Sequence, residues 1–352
     1  MKRRNLLASA AAFGVCPKGP IMAGERNLLV PAEEDRHAGT FMMWPVNRQV
    51  HPDHVFLDIL QDTIANIANA IADFEPVIML AAQSDHAKAR ALLSDKVELW
   101  DIPTEDLWAR DAGPLFAWQD DELVISHIQF DGWGKKQVHK RDAQVATRIA
   151  ERLGVKMVPS GLHGEAGGVE HDGHGLLMAH ESSWVESARN PGMTRDQVER
   201  KLLDAYGAER MIWSAGVQGE DITDYHIDSL ARFTGPGRVL INLPDAPDEQ
   251  DPFHMAALDT HDALEAAGMN IEVIPEPNKR RIKSIDFVAS YANYYVCNGA
   301  IIAPQFGDKT TDQIAVDALR RHYPGREVVT LNVDALGEVG GGIHCATQQM
   351  PA

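Results

Sequence analysis

What this 352-residue chain lacks narrows its function before any motif is considered. No run of eighteen consecutive apolar residues occurs, so no segment is long enough to cross a bilayer as a helix. Positive charge is scarce: 33 Lys and Arg against 51 Asp and Glu give a formal net charge of −18, which repels phosphate backbones and argues against a nucleic-acid partner. The dense basic run, Lys279-Arg280-Arg281 with Lys283, reads as a solvated turn. Motifs of common cofactor and metal enzymes are missing: no P-loop, no G-x-G-x-x-G after a strand, no H-E-x-x-H and no C-x-x-C. Cysteine is scarce too. With three in all, Cys16, Cys297 and Cys345, a disulfide framework is excluded and at least one free thiol is expected.

Cys16 belongs to a segment that stands apart. Lys2-Arg3-Arg4 precedes the weakly apolar stretch Leu6 to Val15, followed by Pro17 and Pro20, and this reads as a twin-arginine-type export signal over residues 1–23, directing the protein to the periplasm. The alternative is an untidy cytoplasmic amino terminus. Residues 24–352 carry no linker-like shift in composition and read as one catalytic domain.

That body is repetitive. Helical periodicity is predicted over roughly 52–73, 140–153, 194–206, 253–267 and 311–322, each stretch following an apolar run and a turn rich in Pro, Gly, Asn or Asp. Thr194-x-x-Gln197 forms a capping box, Gly207 is placed to end that helix, and Pro324 limits the last one. A further helical candidate covers Asp85–Leu93. Four of the five starts recur roughly 55–60 residues apart, the spacing of repeated supersecondary units. Strand-like runs such as Val77–Leu80, Val239–Asn242 and Ala300–Ala303 lie between, so each unit is a small sheet with one covering helix. Five such α/β units can close into a ring with a central pocket.

Four clusters carry chemistry. Gly340-Gly341-Gly342-Ile343-His344-Cys345 places a thiol behind three glycines, which remove side-chain bulk where a ligand must approach backbone. A structural cysteine would not need that run. In Tyr225-His226-Ile227-Asp228, read as a strand, His226 and Asp228 share one face while Ile227 points into the core; a polar surface strand is the plain alternative. Trp108-Ala109-Arg110-Asp111 fits no amphipathic template, although Asp111 could cap the turn before Gly113-Pro114 and Trp108 could be core. Finally, His163, His171, His174 and His180 flank Glu165 and Asp172-Gly173; this suits a hairpin with exposed histidines better than a metal centre.

Taken together, these motifs resemble the agmatine deiminase and bacterial peptidylarginine deiminase family of guanidino-modifying enzymes, from about residue 30 to the end. The matches are Pro31-Ala32-Glu33 with His37 and Trp44-Pro45, Trp108-x-Arg110-Asp111, His226-Ile227-Asp228, Ala289-Ser290-Tyr291-Ala292-Asn293, Pro304-Gln305-Phe306-Gly307-Asp308 and the closing Gly340–Gln349. The resemblance implies a five-bladed, pentein-like α/β propeller without cofactor or metal. It implies hydrolysis of a small cationic guanidino substrate: agmatine to N-carbamoylputrescine and ammonia, or deimination of peptidyl-arginine or free arginine. Cys345 would attack the guanidinium carbon, Asp111 and Asp228 would bind its nitrogens, and His226 would serve as acid and base. Trp108, Glu165 and Asn293 would touch substrate. Tyr225 departs from the family's usual glycine, and Ser183 and Glu186 from a usual Cys and Asn. No paired arginine stands near Phe130-Asp131-Gly132-Trp133-Gly134 to receive a substrate carboxylate, so agmatine is the expected substrate. A non-catalytic polyamine-binding propeller stays open as an alternative, as does a homo-oligomer.

Overall fold

The computed structural model describes residues 28–284 and 287–352. The expected export segment at residues 1–23 lies outside them.

One strand pattern occurs five times. Two strands pair antiparallel, a helix crosses over, and a third strand joins parallel to the second. It is built from Leu115–Gln119, Glu122–Gln129 and Lys156–His163; from Val169–His171, Leu176–His180 and Arg210–Ser214; from Ala231–Phe233, Arg238–Leu243 and Asn270–Pro275; and from Tyr295–Cys297, Ala300–Gln305 and Glu327–Asn332. The remaining blade joins the two ends of the chain. Gln348–Pro351 pairs antiparallel with His37–Met43, which continues in parallel to Val77–Ala81 and then to Val97–Asp101. This is the five-bladed α/β propeller that the repeat spacing predicts.

The crossover helices are His54–Ile71, Val145–Leu153, Arg195–Tyr206, Pro252–Ala266 and Lys309–His322, close to the predicted spans. The extra helix falls at His86–Leu92. Their ends follow local chemistry. Asp53, Asp251 and Asp308 cap three amino termini through their carboxylates, and Thr194 with Gln197 forms the capping box. Gly207 ends its helix at φ +68°, a left-handed conformation that suits glycine. On that helix Val198, Leu202 and Leu203 turn inward; each contributes roughly 1.5–3 kcal/mol of burial, and Leu202→Ala would cost about 3 kcal/mol. The central strands are apolar at consecutive positions, as in Val239–Ile241, because both faces are covered.

The blades share a geometric rule that builds the site. In each, the loop entering the first strand points to the ring centre, and Asp111, Gly167, Asp228, Asn293 and Cys345 each precede such a strand by two to four residues.

Candidate active site

Five loops from five blades meet around the Cys345 thiol. The Asn293 amide fixes it at two points: Nδ2 donates to Sγ at 3.1 Å, and Oδ1 accepts from the Cys345 N–H at 3.3 Å. Asp228 stands opposite, its Oδ2 accepting from Sγ at 3.4 Å. The Arg110 N–H donates to the Cys345 carbonyl at 3.0 Å, joining the turn Ala109–Ala112 to the nucleophile loop and bringing Asp111 to the centre. Trp108 packs so closely that a Cβ on Gly341 would lie 2.5 Å from its ring.

Gly167 marks where these groups converge. A Cβ there would meet Asp111 Oδ1 at 2.7 Å, His226 Nδ1 at 2.9 Å and Asp228 Oδ2 at 3.2 Å, so any larger residue would fill the space between both carboxylates and the imidazole. Cys345, Asp111 and Trp108 keep 7–8% of their surface exposed whereas Asp228 keeps none, so access is from the side of the first three. The oxygen Asp228 Oδ1 is buried without a partner among the described residues and is free to accept from a donor N–H.

Asp111 is held by an unusual loop. Gly132, Trp133, Gly134 and Lys135 all have positive φ, between 56° and 76°, and this left-handed turn carries Trp133 Nε1 to Asp111 Oδ2 at 2.9 Å. Left-handed backbone costs roughly 1–2 kcal/mol at each non-glycine residue, and the buried Trp133 indole offsets it. Lys136 then reaches Asp224 at 2.6 Å, linking this loop to the one carrying His226.

Asp224 and Tyr225 are themselves left-handed, at φ 58° and 64°. That conformation would suit glycine, the residue that the resemblance implies at position 225. Here the tyrosine ring compensates by stacking on His180 at 4.7 Å and packing edge-on against Phe253. One expectation is corrected at this point: Ile227–Ser229 is a single 3-10 turn and not a strand, because the strand starts only at Ala231. Ile227 still enters the core, and the turn brings His226 and Asp228 into the centre together. A second correction concerns the hairpin between Val169–His171 and Leu176–His180: it forms as predicted, but His180 is fully buried, its ring hydrogen-bonded to the Tyr225 carbonyl and Thr260.

His226 Nε2 faces Glu165 Oε2 at 3.2 Å, while Nδ1 faces Asp111 Oδ1 at 3.8 Å. Glu165 is therefore turned to the imidazole, and its second partner is Arg189 Nε at 2.9 Å. The fully buried Arg189 also binds Asp224 at 2.6 Å and Glu186 at 3.2 Å. Glu165 and Asn293, both expected at the substrate, thus hold the imidazole and the thiol.

The electrostatics follow from burial and neighbours. Burial drives the Asp111 carboxyl up to about 6, against the lowering effect of His226. For His226 burial acts downward, but Asp111, Glu165 and Asp228 outweigh it and lift the ring to about 9. Burial, then the charges of Asp228 and Asp111, push the Cys345 thiol well above its ordinary range. Burial also opposes ionisation of Asp228, yet hydrogen bonding and charge from His344 bring it below the usual carboxylate range. At neutral pH the site therefore holds a thiol, an imidazolium and two carboxylates. Such a set suits a cation: a planar positive headgroup between Asp111 and Asp228 would neutralise the charges that keep the thiol protonated.

The five-loop site also uses residues that the sequence named without assigning a role. His344 bridges Asp228 Oδ2 at 2.7 Å and Glu33 Oε2 at 2.9 Å. Glu33 is anchored in turn by Arg110 and Arg232, each at 3.1 Å. Behind them lies a polar cavity of about 20 Å³, lined among others by Glu34, Glu170 and Tyr206 and large enough for one water.

A buried thiol with flanking carboxylates at the centre of this propeller fits the class of guanidino-modifying hydrolases. The comparisons agree. The family model of Porphyromonas-type peptidyl-arginine deiminases matches residues 29–351, and the chain belongs to that family. A Streptomyces coelicolor protein assigned as an agmatine deiminase is 32% identical over 339 residues, covering 92% of this chain and 98% of its own. A Listeria monocytogenes protein, assigned likewise, is 32% identical over 357 residues, covering 92% and 96%. The solved agmatine deiminase of Enterococcus faecalis superposes with a TM-score of 0.82 at 25% identity, covering 92% of this chain and 96% of its own.

Proposed function

We propose that this enzyme hydrolyses agmatine to N-carbamoylputrescine and ammonia through a covalent intermediate on Cys345. The observation that carries the choice of agmatine over arginine is the state of the buried arginines. Arg110 is bound to Glu33 and Gln349, Arg189 to Glu165, Glu186 and Asp224, and Arg232 to Glu33 and Glu170. Each guanidinium beside the site is already neutralised, so an α-carboxylate would be buried without a countercharge, which costs several kcal/mol. Agmatine has none. The relatives assigned as agmatine deiminases support the same choice.

The chemistry is derived from the groups in place. The guanidinium settles between Asp111 and Asp228, its N–H donating to Asp228 Oδ1. With those charges neutralised the thiol gives up its proton to solvent, and the thiolate adds to the guanidinium carbon to give a neutral tetrahedral adduct. His226, protonated because it is held near 9, passes its proton to one amino group; the C–N bond breaks and ammonia leaves. A cationic thiouronium and a neutral imidazole remain. The imidazole takes a proton from water, hydroxide adds to the same carbon, and the C–S bond breaks as the hydroxyl proton passes to the departing sulfur, releasing the urea product and restoring the thiol. Asn293 steadies the sulfur throughout. Trp108, beside Gly341 at the exposed side, would flank the substrate chain.

The test is ammonia release from agmatine, arginine, an arginine ester and a peptide ending in arginine. Agmatine should give the highest kcat/KM by at least about 100-fold, the discrimination that an unpaired buried charge produces. Faster turnover of a peptide or of arginine would overturn the choice of substrate. We also propose export to the periplasm, which Lys2-Arg3-Arg4 and the apolar stretch behind it support; mass spectrometry of the amino terminus from native cells would refute it by finding residues 1–23 intact.

A further inference from the structure

His344 precedes the nucleophile, and its carbonyl already receives Arg110 Nε at 3.4 Å, a structural task that backbone alone can perform. The side chain has a separate geometry. Both ring nitrogens end on carboxylate oxygens, Nδ1 on Asp228 Oδ2 and Nε2 on Glu33 Oε2, so a single ring spans the two acids. The far end cannot drift. Glu33 is fixed by Arg110, Arg232 and the Val296 N–H, so His344 is a rigid link between a locked ion-pair cluster and one oxygen of Asp228.

That oxygen is the contested one. Asp228 Oδ2 lies 2.7 Å from His344 and 3.4 Å from Cys345 Sγ, while Oδ1 has no partner. Without the imidazole, Asp228 would be free to rotate, to satisfy both oxygens elsewhere, or to take up a proton beside the thiol. The titratable and charged groups facing Asp228 are His344, His226, Arg232, Glu170, Asp111 and Cys345, and His344 is the one hydrogen-bonded to it through a ring nitrogen.

We infer that His344 is a positioning residue of the reaction: by clamping Oδ2 from behind, it keeps Asp228 ionised and turns the unpartnered Oδ1 toward the substrate guanidinium. This deepens the deiminase reading and rests on it. His344 touches neither substrate nor reacting atoms; it acts through Asp228, as outer partners of ligand-binding groups commonly do, with effects of 10–100-fold.

The experiment compares wild type with His344→Phe, which keeps a ring but donates nothing, and His344→Asn, whose Nδ2 can replace the donor to Asp228. With agmatine, His344→Phe should raise KM at least about 10-fold and steepen the acidic limb of the kcat/KM profile below the fall that Asp111 sets near 6, since a less supported Asp228 adds a second protonation. His344→Asn should return KM to within about threefold of wild type. Glu33→Gln, which loosens the anchor, should give a smaller effect in the same direction. A merely structural His344 would lower turnover equally at all pH values, leave the slope of the limb unchanged and make Asn no better than Phe; that pattern would overturn the proposal. A readout independent of turnover separates the two readings: the carboxyl ¹³C resonance of Asp228, assigned with Asp228→Asn, should titrate at higher pH in His344→Phe. An unmoved resonance refutes the role of His344 even if agmatine is consumed, and a moved resonance without ammonia release refutes the substrate.

Discussion

Cys297 and Cys345 make an informative pair, since both are buried thiols in neighbouring parts of the ring and only one is placed to react. Cys297 ends the strand Tyr295–Cys297, has no exposed surface and directs its sulfur to the Ala300 carbonyl at 3.6 Å. Cys345 sits in a glycine-rich loop between Asn293 and Asp228. Burial is the largest influence on both, and it pushes both upward. The difference lies in the acids next in importance. Glu75, beside Cys297, is already engaged by His37, Thr40 and Asn298, and nothing can enter to neutralise it. Asp228 and Asp111, beside Cys345, leave room for a cation, so the same electrostatic obstacle is removable at one thiol and permanent at the other. Reactivity is thus a property of what can bind next to a sulfur and not of the sulfur in isolation.

The sharpest way to break this comparison is to exchange each thiol for a hydroxyl. Cys345→Ser should lower ammonia release from agmatine by at least about 10⁴-fold, as expected for loss of a covalent nucleophile, with the melting temperature little changed. Cys297→Ser should leave kcat/KM within about twofold. Comparable activity in the two variants would remove the distinction. Next in size is the response to cationic reagents. Chloroacetamidine, a planar cation, should alkylate Cys345 on the order of 100-fold faster than neutral chloroacetamide, relative to the ratio seen with a small thiol, because it would enlarge the thiolate fraction. Cys297 should resist both, and peptide mass spectrometry would read the two sites separately.

A smaller effect comes from pH. Asp111, lifted to about 6, must be ionised to hold the guanidinium, so kcat/KM should fall as pH drops through 6, to about a tenth of its plateau at pH 5. His226, lifted to about 9, must be protonated to release ammonia, so activity should also fall as pH rises through 9. A profile still rising at pH 10 would mean that the thiol ionises on its own and that the cation is not needed. Smallest is the stability cost of Cys297→Ser: about 1–2 kcal/mol, from burying a hydroxyl whose bond to Ala300 would be too long, seen as a lower midpoint in urea.

What the amino-acid sequence disclosed about this contrast depended on how local each cause was. Helices were legible because a 3.6-residue period and caps such as Thr194 or Asp308 act within a few residues. The central position of the Cys345 thiol was legible because three glycines beside a thiol are an uncommon local pattern. The 3-10 turn at Ile227–Ser229 was not: Asp224 and Tyr225 adopt left-handed backbone without the glycine that would have signalled it. Nor were the duties of Glu165, Asn293 and His344, since their partners Arg189, Cys345, Asp228 and Glu33 lie between 24 and 311 residues away. Such pairings are fixed by the closure of the ring, to which no short window of sequence refers.

The pairing of Gln348–Pro351 with His37–Met43 has a temporal meaning. During synthesis the opening strand waits, its edge unpaired, until the last of these residues leaves the ribosome, and the thiol emerges only three residues ahead of its closing strand. Molecules released early would lack both the seam and the sulfur. Competence to modify a metabolite therefore depends on the same segment that closes the ring, and a chain stopped before it holds neither.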